Sequence, residues 1–261
     1  MTWIVRCVLA LVVLAVGPFS PARAAEQVDL LLVLASDVSR SVDHPKFLLQ
    51  RQGYAAAISD PRVLAAITSG PHQRIAVCFV EWSGWGAEKV VIDWTLIGDE
   101  ASARLFGDQL LEAPRSFADR TSISGGLYFA LKQLERAPHE AGRRAIDVSG
   151  DGTNNSGPEV TSARDEVLSK GVTINGLVIL TPAPPSWMSE HTNPPGGIEK
   201  YYRDNVIGGP GAFVVVAENH NSFGQAVIRK LIAEIAELPR AGAAVSSRNA
   251  RTGSGNAGKN R

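Results

Sequence analysis

Five side chains with hard oxygen donors fall at three places in this 261-residue sequence. Asp37, Ser39 and Ser41 form the pattern D-x-S-x-S. Thr121 stands in the run Arg120-Thr121-Ser122-Ile123-Ser124-Gly125-Gly126, and Asp151 lies between Gly150 and Gly152. Two carboxylates and three hydroxyls, joined by no His or Cys, suit a hard divalent cation better than Zn²⁺ or Cu²⁺. Mg²⁺ is the first expectation, with Mn²⁺ or Ca²⁺ as alternatives. Because Mg²⁺ usually keeps water-filled positions, an acidic group from a protein partner could complete its shell. Each piece alone has a plainer reading. D-x-S-x-S can be an Asx turn with capping serines, Thr121 a helix N-cap, and Asp151-Gly152 a turn. The three together, in order and each at the right end of its element, carry the weight.

Positioning these groups requires a particular arrangement of elements. Residues 28–36 form a continuous apolar run, as expected of a strand buried on both faces of a parallel sheet. Similar runs lie at 74–81, 144–149, 172–180 and 212–217. The segment 89–96 alternates less hydrophobically and suits an antiparallel edge. Helical patterns start at Asp43 and end at Pro61, and others cover 99–112, 121–136 and 159–169. A last helix starts at Ser222, with Gln225 completing a capping box. Strands alternating with helices predict an α/β fold, with a mostly parallel central sheet and helices on both faces. Ligands of such sheets bind beyond the carboxyl ends of the strands, and all three motifs fall there. Residues 182–211 form an insertion rich in Pro, Gly and aromatics. It leaves a central strand at that same end, so Trp187, Tyr201 and Tyr202 are expected to help form a partner surface.

On these residues the chain resembles a von Willebrand factor A domain. That family carries a metal-ion-dependent adhesion site with D-x-S-x-S after the first strand, a Thr before a central helix and an Asp after the fourth strand. The resemblance assigns Asp37, Ser39, Ser41, Thr121 and Asp151 to those positions and covers residues 28–238. It implies a Rossmann-like sheet with one antiparallel edge strand. More narrowly, the stretches 121–125, 149–152 and 201–213 resemble an exported bacterial von Willebrand A-like family labelled as a domain of unknown function. The insertion at 182–211 departs from the general domain.

Composition narrows the function. Hydrophobic residues make up 44% and charged residues 20% of the chain, ordinary for a globular protein. The formal charge is zero, but unevenly distributed. Residues 1–24 carry two Arg and no acid, residues 240–261 five basic groups and no acid, and the body between a net of −7. An acidic body argues against nucleic-acid binding. Residues 1–24 read as a signal peptide: Arg6, an apolar run at 7–16, then Ala22-Arg23-Ala24 with cleavage before Ala25. The run is well short of the ~20 residues needed to span a bilayer. A periplasmic or secreted location follows, with no transmembrane span after cleavage. The tail at 240–261 has the composition of a disordered segment. Cleavage would leave Cys78 alone, read as a buried hydrophobe.

A dinucleotide loop at 150–156 lacks its third Gly, and no Walker motif or G-x-S-x-G elbow exists. The five histidines, His44, His72, His139, His191 and His220, read as surface residues. The expectation is therefore a binding module and not an enzyme: residues 25–239 form one domain that engages an acidic residue of an exported or envelope protein through a divalent ion. A metal-assisted hydrolase of the cell envelope is the alternative.

Overall fold

The computed structural model describes residues 25–181, 184 and 186–236. Residues 1–24, read from sequence as a signal peptide, and the tail 240–261 lie outside the described residues. The strands are β1 (Glu26–Val28), β2 (Leu31–Asp37), β3 (Ile75–Trp82), β4 (Glu88–Ile97), β5 (His139–Ala141), β6 (Arg144–Gly150), β7 (Thr173–Ile179) and β8 (Val214–Ala217). The helices are α1 (His44–Ile58), α2 (Pro61–Thr68), α3 (Glu100–Glu112), α4 (Ile123–Glu135), α5 (Val160–Ser169), α6 (Ser189–Thr192), α7 (Ile198–Asn205) and α8 (Phe223–Ala236). Six strands form one sheet in the order β4-β3-β2-β6-β7-β8; β1 and β5 pair separately. Every pairing in the main sheet is parallel except β3 with β4, so the antiparallel edge strand is where the sequence places it.

The continuous apolar runs are explained by burial on two faces. Along β2, Leu32 and Leu34 join a core with residues of α1, α2, α3 and α8, while Leu31, Val33 and Ala35 join another with α4, α5 and α7. Period-two alternation thus feeds two apolar layers at once. Cys78 is fully buried in the second layer, where burial pushes its thiol up to about 12. Trp82 is buried in the same layer; Trp94 is half-buried and donates its indole N–H to the Gln133 carbonyl at 3.1 Å.

Two local expectations change. Pro61 ends the first helical pattern but also starts α2, because Asp60 caps the new helix by accepting from the Arg62 N–H at 2.8 Å. Proline at the first helical position costs no hydrogen bond. The capping box before α8 is formed by Asn219 and Ser222 around a 3₁₀ turn, His220–Ser222, and not by Ser222 with Gln225. The insertion holds a 3₁₀ turn (Ser186–Met188), α6 and α7.

The chain leaves β2 toward β3 on one side, while β6 lies on the other. The carboxyl ends of β2 and β6 therefore flank the point where strand order reverses, the usual ligand crevice of an open α/β sheet.

Candidate functional site

Asp37 is the last residue of β2, and Asp151 follows the last residue of β6. Both are fully buried, as is Ser39, while Ser41 and Thr121 are nearly so. The D-x-S-x-S loop folds back on its aspartate: the Ser39 N–H donates to Asp37 Oδ1 at 2.7 Å. The two serine hydroxyls then lie 3.0 Å apart, and Ser41 Oγ donates to Asp151 Oδ1 at 2.5 Å. Residues 110 positions apart in the chain thus meet in one cluster.

The loop is held from outside. Arg115 donates to the carbonyls of Val38 and Ser39 at 2.6 and 3.0 Å, and Lys46 donates to the Ser41 carbonyl at 2.8 Å. The residue after Arg115 is tied to a buried brace: Glu81 accepts from Arg51 at 2.6 Å and from the Ser116 N–H at 2.9 Å. Thr121 is fixed through Asn155, which accepts from the Thr121 N–H at 2.9 Å through its side chain and donates its own N–H to the Thr121 carbonyl at 2.9 Å. Asn154 accepts from the Ser124 N–H at 3.1 Å, and its own N–H donates to the Tyr201 hydroxyl at 3.1 Å.

The electrostatics are those of a site short of positive charge. Burial, then the charge of Asp151, pushes the Asp37 carboxyl up to about 8. Burial also raises Asp151, against the pull of the Ser41 hydrogen bond. Asp37 Oδ2 and Asp151 Oδ2 are buried without a hydrogen-bond partner. Unpaired buried carboxylate oxygens are costly, and a divalent cation is what such a donor set fits. The 3.0 Å between the serine hydroxyls matches neighbouring corners of an octahedron with bonds of about 2.1 Å. Among the described residues no three His, Cys, Asp or Glu side chains gather as a metal-holding group, so the hydroxyls are essential to this set.

The insertion reaches the cluster, but not as its aromatic content suggests. Tyr202 is fully buried, so it is not a surface that a partner could touch. A Cβ on Gly150 would lie 2.4 Å from the Tyr202 hydroxyl and 3.1 Å from Asp37 Oδ2, which puts the phenol on the floor beneath Asp37. The alternation of α7 explains this: Ile198 and Tyr202 face the sheet. Tyr201 is half-buried and serves Asn154. Trp187 falls in the 3₁₀ turn, and its side chain lies outside the described residues. Trp85 is 53% exposed near the site, edge-on to Tyr128 at 6.3 Å, with its N–H on Ser156 Oγ at 3.2 Å.

His191, read from sequence as a surface residue, is brought to the site by α6. Its Nε2 lies 3.2 Å from Thr121 Oγ1 and its Nδ1 lies 3.1 Å from Thr153 Oγ1. No spacing pattern announces it, because it comes from the insertion. Arg115, Asn154 and Asn155 were equally silent, since each acts on neighbouring backbone and belongs to no motif.

Comparison with known proteins agrees with this architecture. Among solved structures, the pilus adhesin SpaC from Lactobacillus rhamnosus GG is similar with a TM-score of 0.57 and 12% identity, over 82% of this chain and 32% of that one. The von Willebrand factor type A protein from Catenulispora acidiphila gives 0.53 and 14%, over 80% and 43%. Proximal thread matrix protein 1 from the mussel byssus, with a zinc-occupied MIDAS motif, gives 0.52 and 13%, over 81% and 49%. The chain spans about a third of the adhesin and under half of the other two. No curated protein matches it in sequence. The fold is that of a von Willebrand factor A domain, and the chain, which matches at residues 27–239, belongs to the family described as "Protein of unknown function (DUF1194)".

Proposed function

We propose that this protein is an exported binding module whose divalent-ion adhesion site engages an acidic group of an envelope or secreted protein. One observation carries the reading: Asp37 and Asp151, from the two strands flanking the sheet's switch point, are buried side by side with an unpartnered oxygen each. Asp37, Ser39, Ser41, Thr121 and Asp151 would hold the ion, Mg²⁺ or a similar hard cation. The ion would offset the paired negative charge and attract a partner's carboxylate. This chain's residues fix the donors: Arg115 and Lys46 pin the serine loop, and Asn155 pins Thr121. Trp85 and the insertion beside the site form the rim that a partner would meet. No helix among the described residues is long and apolar enough to cross a membrane, and residues 1–24 supply the export signal.

The test has two stages. Titration calorimetry with Mg²⁺, Mn²⁺ and Ca²⁺ should show one site in the wild type and none in Asp151→Ala. Pull-down from envelope extract should then retain a partner that EDTA releases. A wild type that binds none of the three ions at millimolar concentration refutes the reading.

A further inference from the structure

We propose that Lys230 and Asp147 form an autocatalytic amide crosslink, with Glu234 as its proton carrier, that fastens the last helix α8 to the central strand β6. Such a link does not depend on the adhesion-site reading, because none of its three groups belongs to that donor set.

Three ionisable side chains meet inside an apolar layer. Lys230, Asp147 and Glu234 are each 1% exposed or less, although residues of these types are almost never fully buried unless paired. Asp147 lies mid-strand, between Leu34 of β2 and Asn175 of β7. Lys230 reaches it from α8 and places Nζ 2.8 Å from Asp147 Oδ2. This is close contact without the alignment of a hydrogen bond, since neither Asp147 oxygen has a hydrogen-bond partner. The amine thus meets the carboxyl group off the directions its lone pairs favour. A nucleophile has to leave those directions to reach the carboxyl carbon.

The surrounding groups arrange the proton traffic. Glu234, one helical turn beyond Lys230, presents Oε2 at 3.3 Å from Nζ. Its Oε1 accepts from Asn175 Nδ2 at 2.6 Å. Asn175 is oriented in turn by the Phe213 N–H, which donates to its Oδ1 at 3.2 Å. The Glu234 carboxyl is therefore held with one oxygen turned to the amine. The Phe213 ring lies 5.4 Å from Nζ. One cation against two carboxylates is a costly charge set to bury. Burial pushes the Asp147 carboxyl up to about 7, against the pull of Lys230 and with the push of Glu234. Condensation removes two of the three charges.

No co-reactant is needed. A proton passes from the ammonium to Asp147, leaving an amine and a carboxylic acid. The Nζ lone pair attacks Asp147 Cγ, which forms the C–N bond and moves the carbonyl π pair onto oxygen. Glu234 Oε2 takes a proton from Nζ and returns it to the hydroxyl oxygen. That oxygen leaves as water with its C–O bond pair, the carbonyl re-forms, and Glu234 ends as it began. Bulk water reverses such condensations. Here the fold supplies proximity, which can be worth an effective concentration of about 10⁵ M or more, and burial excludes the water that hydrolysis needs.

Intact-mass spectrometry of the full chain, purified folded and then denatured, tests this once the amino terminus has been sequenced. The wild type should be lighter than its sequence by the mass of one water. A tryptic digest should contain a branched peptide joining residues 145–164 to 230–240, with fragment ions that place the link at Asp147 and Lys230. Lys230→Met should show the full mass. Glu234→Gln keeps both linked residues and should also show the full mass on purification, because losing the proton carrier slows the step about hundredfold or more. Circular dichroism certifies that each variant is folded; where one is not, the wild-type mass and peptide map decide alone. A folded wild type at full mass, with separate peptides, overturns the proposal. A water loss that persists in Lys230→Met, or maps to other residues, overturns it too. Undiminished linkage in Glu234→Gln overturns the part given to Glu234. Failure to bind metal leaves the crosslink standing, so the two readings fail separately.

Discussion

Replacing Asp37 by Asn separates the cost of the buried carboxylate pair from its use. In the unfolded chain this carboxyl ionises near 3.8, whereas in the folded protein burial and Asp151 push it up to about 8. The folded state therefore holds a proton that the unfolded state has released. The sign follows: stability falls as pH rises from about 4 toward 8. Each unit is worth about 1.4 kcal/mol, so the penalty from 3.8 up to pH 7 is about 4 kcal/mol. At pH 5 it is under about 2 kcal/mol. Asn keeps an oxygen to accept from the Ser39 N–H and carries no charge. In EDTA at pH 7, Asp37→Asn should thus melt higher than the wild type by roughly 8–16 °C, with the gap narrowing at pH 5. Metal should reverse the order of gain. At a hundredfold excess over Kd it stabilises the wild type by about 2.7 kcal/mol, and the variant, lacking the anionic ligand, by little. Melting curves at pH 5, 7 and 8, with EDTA and with Mn²⁺, provide the measurement. If the variant melts below the wild type in EDTA at pH 7, or gains as much from Mn²⁺, the reasoning is wrong.

Two further outcomes follow from the same structure. Glu81→Gln leaves the buried Arg51 guanidinium without the counter-charge that lies 2.6 Å away, which should cost about 3 kcal/mol or more and be read as a lower urea midpoint at unchanged slope. His220 is held at about 4 by burial, with Nε2 unpartnered. Because the unfolded chain takes up that proton first, its contribution to stability is lost as pH falls from about 6.5 toward 4. His220→Gln should flatten that part of the wild-type profile in acid melts.

The sheet was legible from residues because burial on both faces leaves unbroken apolar runs, as at Leu31–Asp37 and Ile75–Trp82. The edge strand was legible because Glu88–Ile97 mixes exposed and buried positions. The donor residues were legible because their spacing is local. What stayed hidden depends on contacts between distant segments. Pro61 ends one helical pattern and starts another helix, and only the Asp60 cap distinguishes stopping from restarting. Tyr202 reads as a surface aromatic in a Pro- and Gly-rich stretch, yet the register of α7 buries it under Asp37. His191 carries no local signal, since what draws it to Thr121 is the whole path of the insertion.

The small pairing of β1 with β5 bears on how the protein is displayed. It sets Glu26–Val28 beside His139–Ala141, at the amino-terminal margin of the main sheet. At the other end of the described chain, Arg143 donates to the carbonyls of Glu234 and Ile235 and so ties the finish of α8 to the start of β6. Entry and exit thus share one pole of the domain, while Asp37 and Asp151 occupy the other. A tether joined at Ala25 or Ala236 would start from the pole opposite the site. A domain immobilised through residue 25 or 236 would thus be held by its base, with Asp37 and Asp151 at the outward tip.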